Sequence, residues 1–136
     1  MSDQGYNTNL TAEFFVLSSL HRLGANALIT LGNKKGVDIS VVRSPGDSIS
    51  IDVKGLAGKT SWPVDNVKEL PNGHFLAFVC YHGEIANPSI PPEIWIIPAP
   101  ALPEFIYQAP GGRKVVPRSG LIQRGEQYAH AWHLLC

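Results

Sequence analysis

The segment Val37–Gly55, VDISVVRSPGDSISIDVKG, constrains the fold more tightly than any other part of the chain. Val37, Ile39 and Val41, then Ile49, Ile51 and Val53, alternate with polar residues at the period of two that sends successive side chains to opposite faces of a strand. Between the two runs, Arg43-Ser-Pro-Gly-Asp47 is a turn signal. With Pro45 at its centre, Val41 faces Ile49, Ile39 faces Ile51 and Val37 faces Val53, and Asp38 stands opposite Asp52 on the other face. A slip of one residue would turn a whole apolar set to the wrong side. Apolar pairing and the meeting of two aspartates therefore require the same hairpin.

The flanking sequence supplies elements for this hairpin to pack on. AEFFVLSSLHRL reads as a helix, with Thr11 as its N-cap, Gly24 as its stop, and Leu10, Val16, Leu17, Leu20 and Leu23 as its apolar stripe. NALITL (26–31) reads as a strand before the hairpin. After a loop with Trp62 and Pro63, VDNVKEL (64–70) is expected to form a short helix and HFLAFVCYH (74–82) a buried strand. IWIIPA (94–99) is expected at a sheet edge because prolines flank it. LPEFIYQA (102–109) suggests another short helix, and the remainder a basic loop followed by an amphipathic turn or two. The order α-β-β-β-α-β, with a further strand and a C-terminal extension, predicts an α/β fold with a mixed central sheet flanked by helices.

A length of 136 residues fits one domain spanning 1–136. The formal net charge of zero argues against tight, indiscriminate binding to nucleic acid, which rests on many phosphate contacts. No apolar run reaches membrane-spanning length, and MSDQGYNTNL has neither the basic start nor the apolar core of a signal peptide. Cys80 inside an apolar run and Cys136 at the last position suggest neither a disulfide framework nor a zinc cluster. The expectation is a cytoplasmic protein with no membrane association.

Three carboxylates occupy places that a purely structural pattern would not give them. Glu13 shares a helix face with Val16, Leu17 and Leu20. Asp38 and Asp52 oppose one another across the hairpin, and Lys54 follows Asp52 on the same face. Opposed carboxylates repel, a cost typical of a site that expects a cation. Their hard oxygens suit Mg²⁺ or Mn²⁺, which bind through one or two carboxylates and keep several waters. Lys54 beside such an ion is suited to orienting a water or offsetting charge on a phosphorus-bound oxygen.

GVD (36–38), a hairpin, DVK (52–54) and a preceding helix with Glu13 together resemble the PD-(D/E)XK nuclease superfamily, the fold of many restriction endonucleases and Holliday junction resolvases. The resemblance covers roughly residues 8–82, and Val37 stands where the superfamily's proline is expected. It implies a restriction endonuclease-like core, Asp38 and Asp52 as metal ligands, Lys54 as the catalytic lysine and Glu13 as an added acid. It further implies a nuclease that cleaves DNA with Mg²⁺ or Mn²⁺ bound by Asp38, Asp52 and the Val53 carbonyl, with Glu13 a further metal residue, bound directly or through a water. By analogy alone it implies a homodimer that cuts both strands. The alternatives are a non-catalytic nucleic-acid-binding module that keeps the fold, and an accessory protein whose PSIPPEIWIIPAPALPEF region serves a partner.

Other residues carry weaker signals. Lys59 and Trp62 lie on the loop after Lys54, where they either touch a nucleotide or, for Trp62, cap the core. Arg113 and Lys114, with Arg118 and Arg124 beyond them, form either a phosphate-contacting patch or a solvated loop. Asn66 and Lys68, on the expected second helix, are further candidates to face the site. His130 and His133 have the spacing of a one-turn metal pair but lack a third ligand nearby. No serine occupies a nucleophile-elbow context and no phosphate-cradling glycine motif occurs.

Overall fold

A computed structural model describes residues 2–30, 38–65 and 72–136. The expected helix at 64–70, with Asn66 and Lys68, falls largely outside the described residues, as do Leu31, Gly36 and Val37. Helix α1 spans Ser2–Arg22 and buries Thr8, Ala12, Val16 and Leu20, one residue per turn. It begins nine residues before the expected cap at Thr11, and from Thr8 onward it is docked on the sheet. A Cβ built on Gly55 would lie 2.9 Å from the Thr8 carbonyl oxygen and 3.1 Å from the Ala12 Cβ, so glycine there lets the helix cross at close range. Leu23 is not part of the stripe and is exposed. The helix ends as expected: Gly24 has φ +82°, and the Ala25 and Gly24 N–H groups donate to the carbonyls of Leu20 and His21, a Schellman closure.

Strands β1 (Asn26–Ile29), β2 (Ile39–Ser44), β3 (Asp47–Leu56), β5 (His74–Cys80) and β6 (Glu93–Pro98) form one sheet in the order β1-β2-β3-β5-β6. The hairpin has the register required by its apolar residues: Ile39 pairs with Ile51 and Val41 with Ile49. Pro45 and Gly46, the latter at φ +81°, make the turn, and a bulge at Arg43 takes up the extra residue. β3 and β5 run parallel and the other pairs antiparallel, so the sheet is mixed. β6 lies at its edge, as the flanking prolines indicate.

The two faces of this sheet belong to different cores. Ile39, Val41, Ile49, Ile51, Val53, Ala77, Val79, Ile94 and Ile96 pack with the buried residues of α1. Leu76, Phe78, Cys80, Trp95 and Ile97 point the other way, into a second cluster with Trp62, Leu102, Phe105, Val116 and Leu121. That second core is covered by a small antiparallel sheet, β4 (Ser61–Pro63), β8 (Lys114–Pro117) and β7 (Tyr107–Gln108), in the order β4-β8-β7. A 3₁₀ helix at Ala99–Phe105 and helix α2 (Arg118–Arg124) complete the cover.

This second sheet corrects two sequence expectations. The short helix at 102–109 is instead the end of a 3₁₀ helix followed by β7, and the expected basic loop is β8 leading into α2. Strands of two to four residues have too few alternations to announce themselves, so they exist through pairing alone. No helix among the described residues is long and apolar enough to cross a membrane.

Candidate active site

On the face of the sheet turned away from α1, Ser40 of β2 stands beside Ser50 of β3, with Asp52 and Lys54 further along β3; Asp38, just before β2, lies beside Asp52. Alternation dictates this: the neighbours Ile39, Ile51 and Val53 are committed to the α1 core. Asp38 immediately precedes β2; its N–H donates to the Ile51 carbonyl at 2.8 Å, and its carboxyl contacts that of Asp52. The Val53 N–H donates to Asp38 Oδ2 at 2.7 Å, so the backbone of β3 holds one aspartate while β3 itself carries the other.

The electrostatics bind four of the predicted residues into one cluster. Burial, more than any other cause, lifts Asp38 to about 6. The Val53 N–H and Lys54 pull it down, while hydrogen-bonding contact with Asp52 and that residue's charge push it up. Lys54 Nζ lies 3.6 Å from Asp52 Oδ2, with Asp52 itself buried. Glu13, half-buried on α1, is lifted to about 7 by burial first and by the Asp38 charge second. Both elevations come first from burial and are enlarged by a neighbouring carboxylate, the pattern of a site that crowds acids together away from water.

The donor set is hard oxygen, the chemistry that selects Mg²⁺ or Mn²⁺. Among the described residues, no three His, Cys, Asp or Glu side chains are gathered as a ready-made metal cage. The contact pair is Asp38 with Asp52, and Glu13 interacts through its field. Two carboxylates are enough for an ion that keeps most of its waters.

Two residues that the sequence reading passes over complete the polar row. Ser50 pairs with His74 across β3 and β5, and Ser50 Oγ and His74 Nδ1 share a hydrogen bond of 2.6 Å. His74 is 2% exposed, and its Nε2 is buried without a hydrogen-bond partner. Burial depresses its pKa, while Asp38 pulls the other way. The available signal was a histidine opening a strand whose next six residues are apolar, HFLAFVC.

The remaining candidates lie apart from this cluster. Trp62 is fully buried, donating from Nε1 to the Val79 carbonyl at 3.2 Å and packing edge-on against Phe78 and Trp95. It therefore caps the core and offers no face to a nucleotide. Lys59 is exposed on the loop after β3. Arg113 is paired with Asp65 at 2.9 Å, and the Lys114 N–H donates to the same carboxylate at 2.7 Å. Arg118 makes a two-pronged pair with Glu93, and Arg124 lies over the Phe105 ring, so the basic residues are divided among separate partners rather than pooled.

No protein-family profile and no curated protein matches the sequence. Among solved structures, the chain is similar to a bacterial homing endonuclease, I-Ssp6803I, with a TM-score of 0.54 and 15% sequence identity. The similarity covers 93% of this chain and 87% of that one. At this identity the likeness is one of fold, a mixed α/β arrangement shared with an endonuclease.

Proposed function

We propose that the chain is a PD-(D/E)XK-type, divalent-metal-dependent nuclease that hydrolyses phosphodiester bonds in DNA, folded as one domain over residues 1–136. The observation that carries this reading is the contact of Asp38 with Asp52, with Lys54 Nζ held 3.6 Å from Asp52 Oδ2. The endonuclease fold supports the same reaction class, on fold analogy.

In this reading Asp38, Asp52 and the Val53 carbonyl would hold Mg²⁺ or Mn²⁺, and Glu13 would join them directly or through a water. The ion would supply Lewis-acid stabilisation of negative charge at the phosphate and a supply of ordered water. The Val53 N–H keeps the Asp38 carboxylate in one orientation, and β3 carries Asp52 within contact of it. Lys54, restrained by Asp52, places its ammonium where it can orient the attacking water and offset charge on the phosphorus-bound oxygens. Glu13, with its elevated proton affinity, is suited to exchanging a proton with that water near neutral pH. Lys59, Arg113 and Lys114 are proposed to lie along the path of the DNA backbone, and a homodimer would present two such sites.

The test is a cleavage assay on duplex, single-stranded and branched DNA and on RNA, with Mg²⁺ or Mn²⁺, comparing wild type with Asp52→Ala and Lys54→Ala. Wild type is expected to cut in the presence of metal and both variants to fail. Equal activity in all three proteins removes these residues from catalysis. Binding without cleavage by wild type in any divalent metal converts the protein to the non-catalytic module.

A further inference from the structure

A buried ring nitrogen with nothing to bond is costly, and natural structures keep few such groups without a reason. His74 Nε2 is such an atom among the described residues. Its place in the fold suggests the reason. His74 pairs with Ser50, and the next residues along on the same face are Leu76 and Asp52, so the imidazole lies one strand step from the acid pair. Its other nitrogen is already held by Ser50 Oγ at 2.6 Å, which fixes the plane and orientation of the ring. Since no third side chain joins the two aspartates to make a cage, the imidazole is not poised as a direct ligand.

We propose that His74 is a positioning residue of this site, whose Nε2 hydrogen-bonds a water of the hydrated divalent ion while Ser50 braces Nδ1. The inference rests on the metal-site reading above and adds to it an outer contact from β5. Outer contacts of this kind commonly decide how tightly an ion is held, because they order the waters and ligands around it. The burial that keeps the imidazole neutral also keeps one ring nitrogen able to accept and the other to donate.

Amide side chains separate the two nitrogens. Glutamine can place a polar atom near the position of Nε2, whereas asparagine reaches only the region of Nδ1 and preserves the contact to Ser50. Mn²⁺ uptake by metal-free protein, followed through the spin-resonance signal of the free ion, is compared in wild type, His74→Phe, His74→Asn, His74→Gln and Asp52→Asn, with thermal melts to verify folding. His74→Phe and His74→Asn are expected to bind Mn²⁺ about 10–100-fold more weakly, and His74→Gln to stay within about 3-fold of wild type. If the phenylalanine variant does not fold, the asparagine and glutamine variants decide. A glutamine variant no tighter than the asparagine variant, or an asparagine variant equal to wild type, overturns the proposal. Uptake abolished by Asp52→Asn but unchanged across the His74 series sinks this inference and leaves the metal site standing. No uptake by wild type sinks both.

Discussion

β3 and β5 are parallel neighbours in one sheet, yet one carries the candidate chemistry and the other little but core. β5 is covered on both sides, by α1 with its apolar partners and by the second sheet, and all seven of its residues are buried. β3 is packed by apolar residues on the α1 side, while its other face runs from exposed Ser48 through half-buried Ser50 to buried Asp52 and half-buried Lys54, all polar, and its sequence alternates accordingly. The difference teaches that cover, not strand propensity, decides where polar side chains are kept. The second sheet seals the β5–β6 half of the face and stops short of the β2–β3 half. His74, at the border, belongs to both: its position is core and its bonding is polar.

The comparison can be broken most sharply through the rate of cleavage. Replacing Lys54 with methionine is expected to lower the rate about 10²–10³-fold, measured under single-turnover conditions, while the thermal midpoint stays within a few degrees of wild type. A large fall in stability would instead assign Lys54 to structure and erase the distinction between the two strands. On the sealed side the pattern should invert. Phe78→Ala or Trp62→Ala, each removing a fully buried ring, is expected to cost about 3–5 kcal/mol in urea unfolding.

A smaller effect tests the charge crowding of the polar half. Glu13 titrates at about 7 in the folded protein against 4.5 unfolded, so the folded state holds the extra proton between those values. The metal-free protein therefore loses stability from this group as pH rises from about 4.5 through 7, and the cost persists above. Asp38, lifted to about 6, acts in the same direction, and His74, depressed by burial, opposes them at acidic pH. Glu13→Gln isolates the first effect. The variant should be more stable than wild type by about 1 kcal/mol at pH 8, after allowance for solvent screening, with the gap closing below pH 4.5. A gap that widens towards acid would contradict the assignment.

The smallest expected effect concerns the fastening of the second sheet. Arg118→Leu removes the pair that ties α2 to β6 and should cost about 0.5–1 kcal/mol at neutral pH. Because Arg118 holds the Glu93 pKa below its usual value, the contribution is present above about 4.5 and lost as pH falls through the depressed folded value. Equilibrium unfolding of both proteins at several pH values reads this directly.

Much of the polar half was legible in the sequence because period-two alternation and a Pro-Gly turn fix a register, and that register brings Asp38 close to Asp52. The helix stop at Gly24 and the edge position of β6 were legible for similar local reasons, a left-handed glycine and flanking prolines. The early start of α1 was not, since Thr8 and Ala12 are small residues whose value lies in the close approach to Gly55, a long-range contact. Nor was the sealing sheet, whose short strands find partners far along the chain. Trp62 was ambiguous because a tryptophan on a loop serves a ligand or a core equally well until the cover above it is known. His74 was hidden by the apolar company it keeps.

β4 is made early, directly after β3, but pairs with β8 near the far end of the sequence, Ser61 opposite Pro117. During synthesis the hairpin and α1 can therefore assemble while Leu76, Phe78 and Trp95 still lack the β8 and α2 side of their covering. A chain cut short before β8 would display those residues as a greasy patch, the kind of surface by which quality control recognises an unfinished product. Closure of the second core thus waits on β8, whereas both strands of the acidic hairpin lie in the first half of the chain.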